Sequence, residues 1–169
     1  MRQFTKEAIL HFEREQLLYD IKNYCFIEGD LMERNDEHAK HQTFDVGEEG
    51  NIDRVTRVLD VAFASCVELC YPYSKKELKD YTSRDNELEE EDEYVLSLKL
   101  PNGFSSTTID LLEKLIHEYM VYKVVADWMS ITKPESKATW QEKIEETAGQ
   151  IKSSLHGRIG RVRRTLTPF

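Results

Sequence analysis

Residues 94–131 read YVLSLKLPNGFSSTTIDLLEKLIHEYMVYKVVADWMSI, and this stretch decides the fold class. Its first seven residues alternate as a half-buried strand does. Tyr94, Leu96, Leu98 and Leu100 fall on one face, and Val95, Ser97 and Lys99 on the other. Pro101-Asn102-Gly103 is turn chemistry. Ser105 to Thr108 then supplies capping residues for the longest apolar helix of the chain, which runs to about Ile131. Asp110 near its start suits the helix dipole.

That helix changes sides half-way. In its first half Ile109, Leu112, Leu115, Ile116 and Tyr119 share a face, opposite Glu113, Lys114 and His117. In its second half Val121, Val124, Val125 and Trp128 occupy the formerly polar side, opposite Lys123, Asp127 and Ser130. Two readings stand. The helix crosses from its own core into a contact with another element or subunit, or it breaks near Tyr119–Tyr122 with both halves in one fold. The strand poses a parallel question, because its backbone groups need partners and no second convincing strand is visible. Either a weak segment nearby pairs with it, or another subunit does so by strand addition. On the intersubunit readings, Leu96, Leu98, Val121, Val124, Val125 and Trp128 are the candidate oligomer contacts.

Outward from this stretch the chain reads as helices. Thr5 to about Glu28 has good helix formers and no proline, with Gly29 as a stop signal. A polar stretch from Glu33 to Asp45 reads as a short helix, ending before Gly47-Glu48-Glu49-Gly50. Asn51 is a good N-cap for a one-sided amphipathic helix. Its apolar face carries Ile52, Val55, Leu59, Ala62, Phe63, Cys66 and Cys70, and it should stop near Tyr71-Pro72. After Lys133-Pro134-Glu135 a last helix begins. Its narrow stripe of Trp140, Ile144, Ala148, Ile151 and Leu155 suits a hairpin back onto the preceding helix. Gly149 costs about 1 kcal/mol there relative to Ala, and Gly157 is the expected stop. The fold expected is mainly α: a helical bundle with one short β element at about 94–100 and an extended basic C-terminal arm. The expected organisation is one helical domain over 1–157, with an acidic loop at about 82–93, and a docking arm over 158–169.

The 169 residues are 40% hydrophobic and 33% charged, which excludes collagen-like and wholly disordered classes. No apolar run approaches the ~18 residues of a membrane span. The first sixteen residues, MRQFTKEAILHFEREQ, lack the apolar centre of a signal peptide, so none is expected. Three cysteines, Cys25, Cys66 and Cys70, lie inside apolar helical patterns without metal spacing or a CxxC motif. They read as reduced, buried thiols of a cytosolic-type product.

Charge is divided unevenly. The net formal charge is −9, yet Thr147–Phe169 holds five basic and no acidic residues, which leaves −14 on the first 146. An acidic body argues against a general nucleic-acid binder, because neutralising phosphate needs a basic face. Seven of the nine residues from Asp85 to Glu93 are acidic, a block that repels itself into a solvated loop. It lacks the glycine-punctuated ligand alternation of a calcium loop. In the arm, Arg158, Arg161, Arg163 and Arg164 interleave with Ile159, Val162, Leu166 and Phe169. A purely solvated tail has no need of those apolar residues, and the combination reads as a partner-binding segment.

Catalytic motifs are absent from the sequence: no glycine-rich phosphate loop, no HExxH, no GxSxG. His38 and His41, with Asp36, Glu37 and Asp45 nearby, form a loose metal-like grouping. His117 reads as a surface residue, and His11 and His156 have no evident partner. No catalytic residue, cofactor or metal is therefore expected.

The segment from the strand ending Leu100-Pro101-Asn102-Gly103-Phe104, through Leu111-Leu112-Glu113, Tyr119-Met120-Val121 and Asp127-Trp128-Met129-Ser130-Ile131-Thr132-Lys133-Pro134, to Trp140 and the ending Arg161-Val162-Arg163-Arg164…Pro168-Phe169 resembles head–tail connector proteins of tailed bacteriophages and prophages. The resemblance covers about residues 94–169. It implies a non-enzymatic virion subunit, made in the host cytoplasm and placed at the neck. Such subunits form a homo-oligomeric ring, often of twelve copies, that meets the portal and the tail or neck proteins, commonly through an extended arm. DNA only passes through the channel, where an acidic lining lets it slide, and no membrane is involved. The alternatives are a soluble cellular helical adaptor that binds one protein partner and an unrecognised metal-dependent enzyme working through His38 and His41.

Overall fold

The computed structural model describes residues 4–32 and 37–156. In chain order the elements are strand β1 (Phe4–Glu13), helix α1 (Arg14–Asp30), α2 (Glu37–Phe44), a 3-10 turn (Asp45–Gly47), α3 (Glu49–Leu69), β2 (Glu93–Pro101), α4 (Ser106–Thr132), a second 3-10 turn (Pro134–Ser136) and α5 (Lys137–His156). The fold is mainly α, with a two-stranded antiparallel sheet as its β element. No helix among the described residues is long and apolar enough to cross a membrane.

The largest departure from expectation is at the start. Phe4–Glu13 is a strand and not the first half of a helix. It pairs with β2 in the register Ala8↔Leu98, Leu10↔Leu96 and Phe12↔Tyr94. Its pattern alternates accordingly: Leu10 and Phe12 are buried, while Ile9 and His11 face out. Ile9 and Phe12 fit a helical spacing while Leu10 and Phe12 fit a strand alternation, and the unpaired main chain of β2 decides between them. One edge of β2 therefore finds its partner inside the chain. The ladder continues into the helix, since Arg14 N donates to Asp92 O at 3.0 Å. The Arg14 side chain ties that junction down. Its Nη2 donates to Thr56 Oγ1 of α3 at 2.7 Å, and its Nη1 to Glu90 Oε2 of the acidic loop at 3.0 Å.

Beyond β2, Phe104 N closes a turn onto Pro101 O, with Gly103 at φ +82°, a conformation that favours glycine. Ser105 stands at the N-cap of α4, but its hydroxyl makes no cap bond; its carbonyl accepts from Thr108 N and Ile109 N. Glu48, and not Asn51, is the N-cap of α3. Asn51 instead donates its Nδ2 to Asp45 O, bracing the preceding 3-10 turn.

Helix α4 is unbroken through Tyr119–Tyr122 and is the centre of the molecule. It packs against α1, α2, α3 and α5. The two faces that exchange along its length meet different neighbours of the same chain. The stripe of α5 (Trp140, Ile144, Ile151, Leu155) is buried as that helix folds back on α4. Gly29 lies inside α1 and does not stop it. Its reason is proximity, because a Cβ there would sit 2.5 Å from Cε1 of the Phe44 ring on α2.

One partly buried polar knot joins the ends of three helices. Glu28 of α1 accepts from Lys133 Nζ at 2.8 Å, Ser136 Oγ at 3.1 Å and Trp140 Nε1 at 3.1 Å. Burial by itself pushes the Glu28 carboxyl up; the bonds from Lys133, Ser136 and Trp140 outweigh it and hold the group below the usual carboxylate range. A depressed folded pKa contributes stability above the unfolded value of about 4.3, lost as pH falls through the lower folded value. Glu28→Gln should therefore lower stability by about 1–2 kcal/mol at neutral pH and flatten the acid limb of stability against pH in urea titrations. An unchanged acid limb would show that the knot carries no pH-dependent stability.

Candidate interaction surfaces

The sequence reading singled out two sets of residues. The docking set, Arg158, Ile159, Arg161, Val162, Arg163, Arg164, Leu166 and Phe169, lies outside the described residues. The oligomer set is corrected by the fold. Leu96, Leu98, Val121, Val124, Val125 and Trp128 are all buried in the core of their own chain. Trp128 is anchored there, its Nε1 donating to Thr43 O of α2 at 3.1 Å. The exchange of faces along α4 reflects a helix surrounded by its own bundle, so contacts between subunits need other surfaces.

The exposed face of α1 is one such surface. Tyr19 is 66% exposed and Phe26 56% exposed. They are seven residues apart and so lie on one side of the helix. Phe44 of α2 stacks on Phe26 with ring centroids 5.1 Å apart. Tyr19, Lys22, Asn23, Phe26, Phe44 and Glu48 surround a shallow groove of about 450 Å3. A helix expected from Thr5 hides this face, because Tyr19 and Phe26 belong to no buried stripe and the helix starts at Arg14.

A second groove, of about 360 Å3, lies between the β1–α1 junction and α4 and includes His11, Gln16, Glu113, Lys114 and His117. Both imidazoles have carboxylate partners. His11 Nδ1 is 2.6 Å from Glu93 Oε1, and His117 Nε2 is 2.7 Å from Asp20 Oδ2, which also accepts from Gln16 Nε2 at 3.1 Å. A histidine–carboxylate pair is part of the machinery of general-base catalysis. Here no hydroxyl or thiol nucleophile lines the groove, so the arrangement offers a base with nothing to activate but water or a ligand. These partners are 82 and 97 residues apart in sequence, and no local spacing announces them.

The remaining chemistry-bearing residues are accounted for structurally. Burial pushes the Cys25 thiol up to about 12, with a further push from Glu28, and burial takes Cys70 to about 12 as well. Cys66 is raised by burial and then by Cys70. Such thiols stay protonated and unreactive at neutral pH. His38 and His41 are exposed on α2. His38 Nε2 is 3.2 Å from Gln42 Nε2, and the His41 ring meets Phe44 edge-on. Among the described residues no three His, Cys, Asp or Glu side chains gather as a metal site would require.

The third groove, between α3 and the start of β2, holds about 400 Å3 and is lined by Asp60, Phe63, Glu91, Glu93, Tyr94 and Val95. Three carboxylates stand around an aromatic floor in which the Phe63 and Tyr94 rings are 5.2 Å apart. The Tyr94 hydroxyl donates to Asp60 Oδ1 at 2.8 Å. Burial, followed by that bond to Asp60, raises the Tyr94 phenol above its ordinary value.

The chain matches no protein-family model, no curated protein and no solved structure.

Core placement and subunit contact make opposite demands on the same residues. Leu98→Ala should cost about 2–5 kcal/mol of stability in urea titration, as removal of a fully buried leucine does. Val124→Asp should unfold the chain and not merely dissociate an oligomer. A folded Val124→Asp monomer of native stability would restore these residues to an interface.

Proposed function

We propose that this chain is a structural subunit of the head–tail junction of a tailed virus: a connector that forms a ring between portal and tail around the DNA channel. The observation that carries the reading is the division of charge. The last 23 residues hold five cations and no acid, against −14 on the rest. A segment so composed, with apolar residues set between its arginines, suits docking onto an acidic protein surface. The sequence resemblance over about residues 94–169 points the same way. Two features of the body support it. The core is closed within one chain, as a repeated rigid unit needs, and α1 leaves Tyr19 and Phe26 uncovered. In this reading Tyr19 and Phe26 lie at the contact between neighbouring copies, and residues 158–169 reach the portal or the next ring.

Two variants test it separately. Tyr19→Glu with Phe26→Glu changes only exposed side chains and should leave the circular dichroism spectrum and melting intact while abolishing ring formation, read by sedimentation and negative-stain microscopy. Deleting residues 158–169 should leave helical content intact but abolish capture by the portal. Normal assembly of both variants would overturn the reading, and a stable complex of one copy with one cellular protein would replace it with an adaptor.

A further inference from the structure

The groove between α3 and β2 offers three things at once. Its floor is apolar, formed by Phe63, Tyr94 and Val95, and its rim is anionic, formed by Asp60, Glu91 and Glu93. No lysine or arginine is among its lining residues. It also lies along an open strand edge. Lys99 N donates to Tyr73 O at 2.8 Å, so Lys99 turns its main-chain groups away from β1. The two-residue period then turns those of Ser97 and Val95 to the same outer edge. Neither has a main-chain partner there among the described residues.

The described chain ends close by. Helix α5 finishes at His156, whose ring centroid is 6.5 Å from that of Tyr73. Tyr73 bonds Lys99, and Val95 lies four residues back along β2, a rise of roughly 13 Å. Residues 157–169 follow His156. Extended, they gain about 3.3 Å each, so Val162 and its flanking arginines have roughly 20 Å of reach. The composition is complementary: Arg158, Arg161, Arg163 and Arg164 against the three carboxylates, and Ile159 and Val162 against the aromatic floor. A tethered segment also meets its own groove at high effective concentration.

We propose that residues 158–169 dock into the α3–β2 groove of their own chain and latch the arm down in the free subunit. The proposal rests on the reading of 158–169 as a docking segment and adds where that segment is held before a partner takes it. Individual exposed ion pairs contribute little. The latch therefore depends on several pairs together with apolar contact, and a partner with a deeper acidic cleft displaces it. Such a latch keeps the arm of a free subunit from engaging other acidic surfaces before the portal is present.

Trypsin tests this on the full chain, since the arm carries its own cleavage sites. Cleavage after Arg161, Arg163 and Arg164 should be about tenfold slower in the wild type than in a Glu91→Gln/Glu93→Gln variant, because the rate follows the population of the undocked arm. The two changes remove exposed charges and add no cleavage site. Protection should vanish near 1 M salt, where the screening length is about 3 Å, and should persist on hundredfold dilution. Equal rates in the two proteins would overturn the latch, and so would protection lost on dilution, which places the arm on a second copy. Equal rates with ring formation and arm-dependent portal capture intact would remove the latch alone. Protection without rings would remove the connector reading alone.

Discussion

Everything in this molecule leans on one antiparallel pairing. Strand β2 spans nine residues, and the main-chain polar groups along its inner edge need partners. Strand β1 meets that need, and its register directs Leu10 and Phe12 inward beside Leu96 and Tyr94. A slip of one residue would turn the buried set to solvent, so burial and register enforce each other. The same pairing joins the first residues of the chain to the middle and sets the position from which α1 leaves. Through Arg14, the junction is fastened to α3 and to the acidic loop in one step.

From that placement the rest of the architecture follows. With α1 held by the sheet on one side and by the Glu28 knot on the other, α4 is enclosed by its own chain. Its exchanged faces are then a consequence of being central. The surfaces that a self-contained core leaves open include the outer face of α1, the histidine-lined groove and the anionic groove along β2.

The sequence made the helical class, β2, the side of α3 that is buried and the return of α5 onto α4 legible, because in each case a single period ran long enough to be unambiguous. It hid β1, since Ile9 and Phe12 satisfy a helical spacing while Leu10 and Phe12 satisfy a strand alternation, and the deciding factor is a partner some eighty to ninety residues away. It left the second partner of α4 open. Two apolar faces on one helix signal burial on both sides, and a sequence does not say whether the second partner belongs to the same chain. The candidate contacts drawn from that helix and from β2 became core for this reason. The paired histidines and the Glu28 knot were illegible for the same physical cause, being contacts between residues about a hundred positions apart. The glycine in α1 was visible but misread, because its role is the approach of Phe44 and not a helix end.

We propose that a closed helical unit assembles through its outer surfaces into a ring at the neck of a virus particle. Negative-stain microscopy of the material that copurifies with the native chain tests this most directly. Closed rings, or particles carrying the chain at the junction of head and tail, are the expected result. A small soluble complex of one copy with a single partner would contradict it.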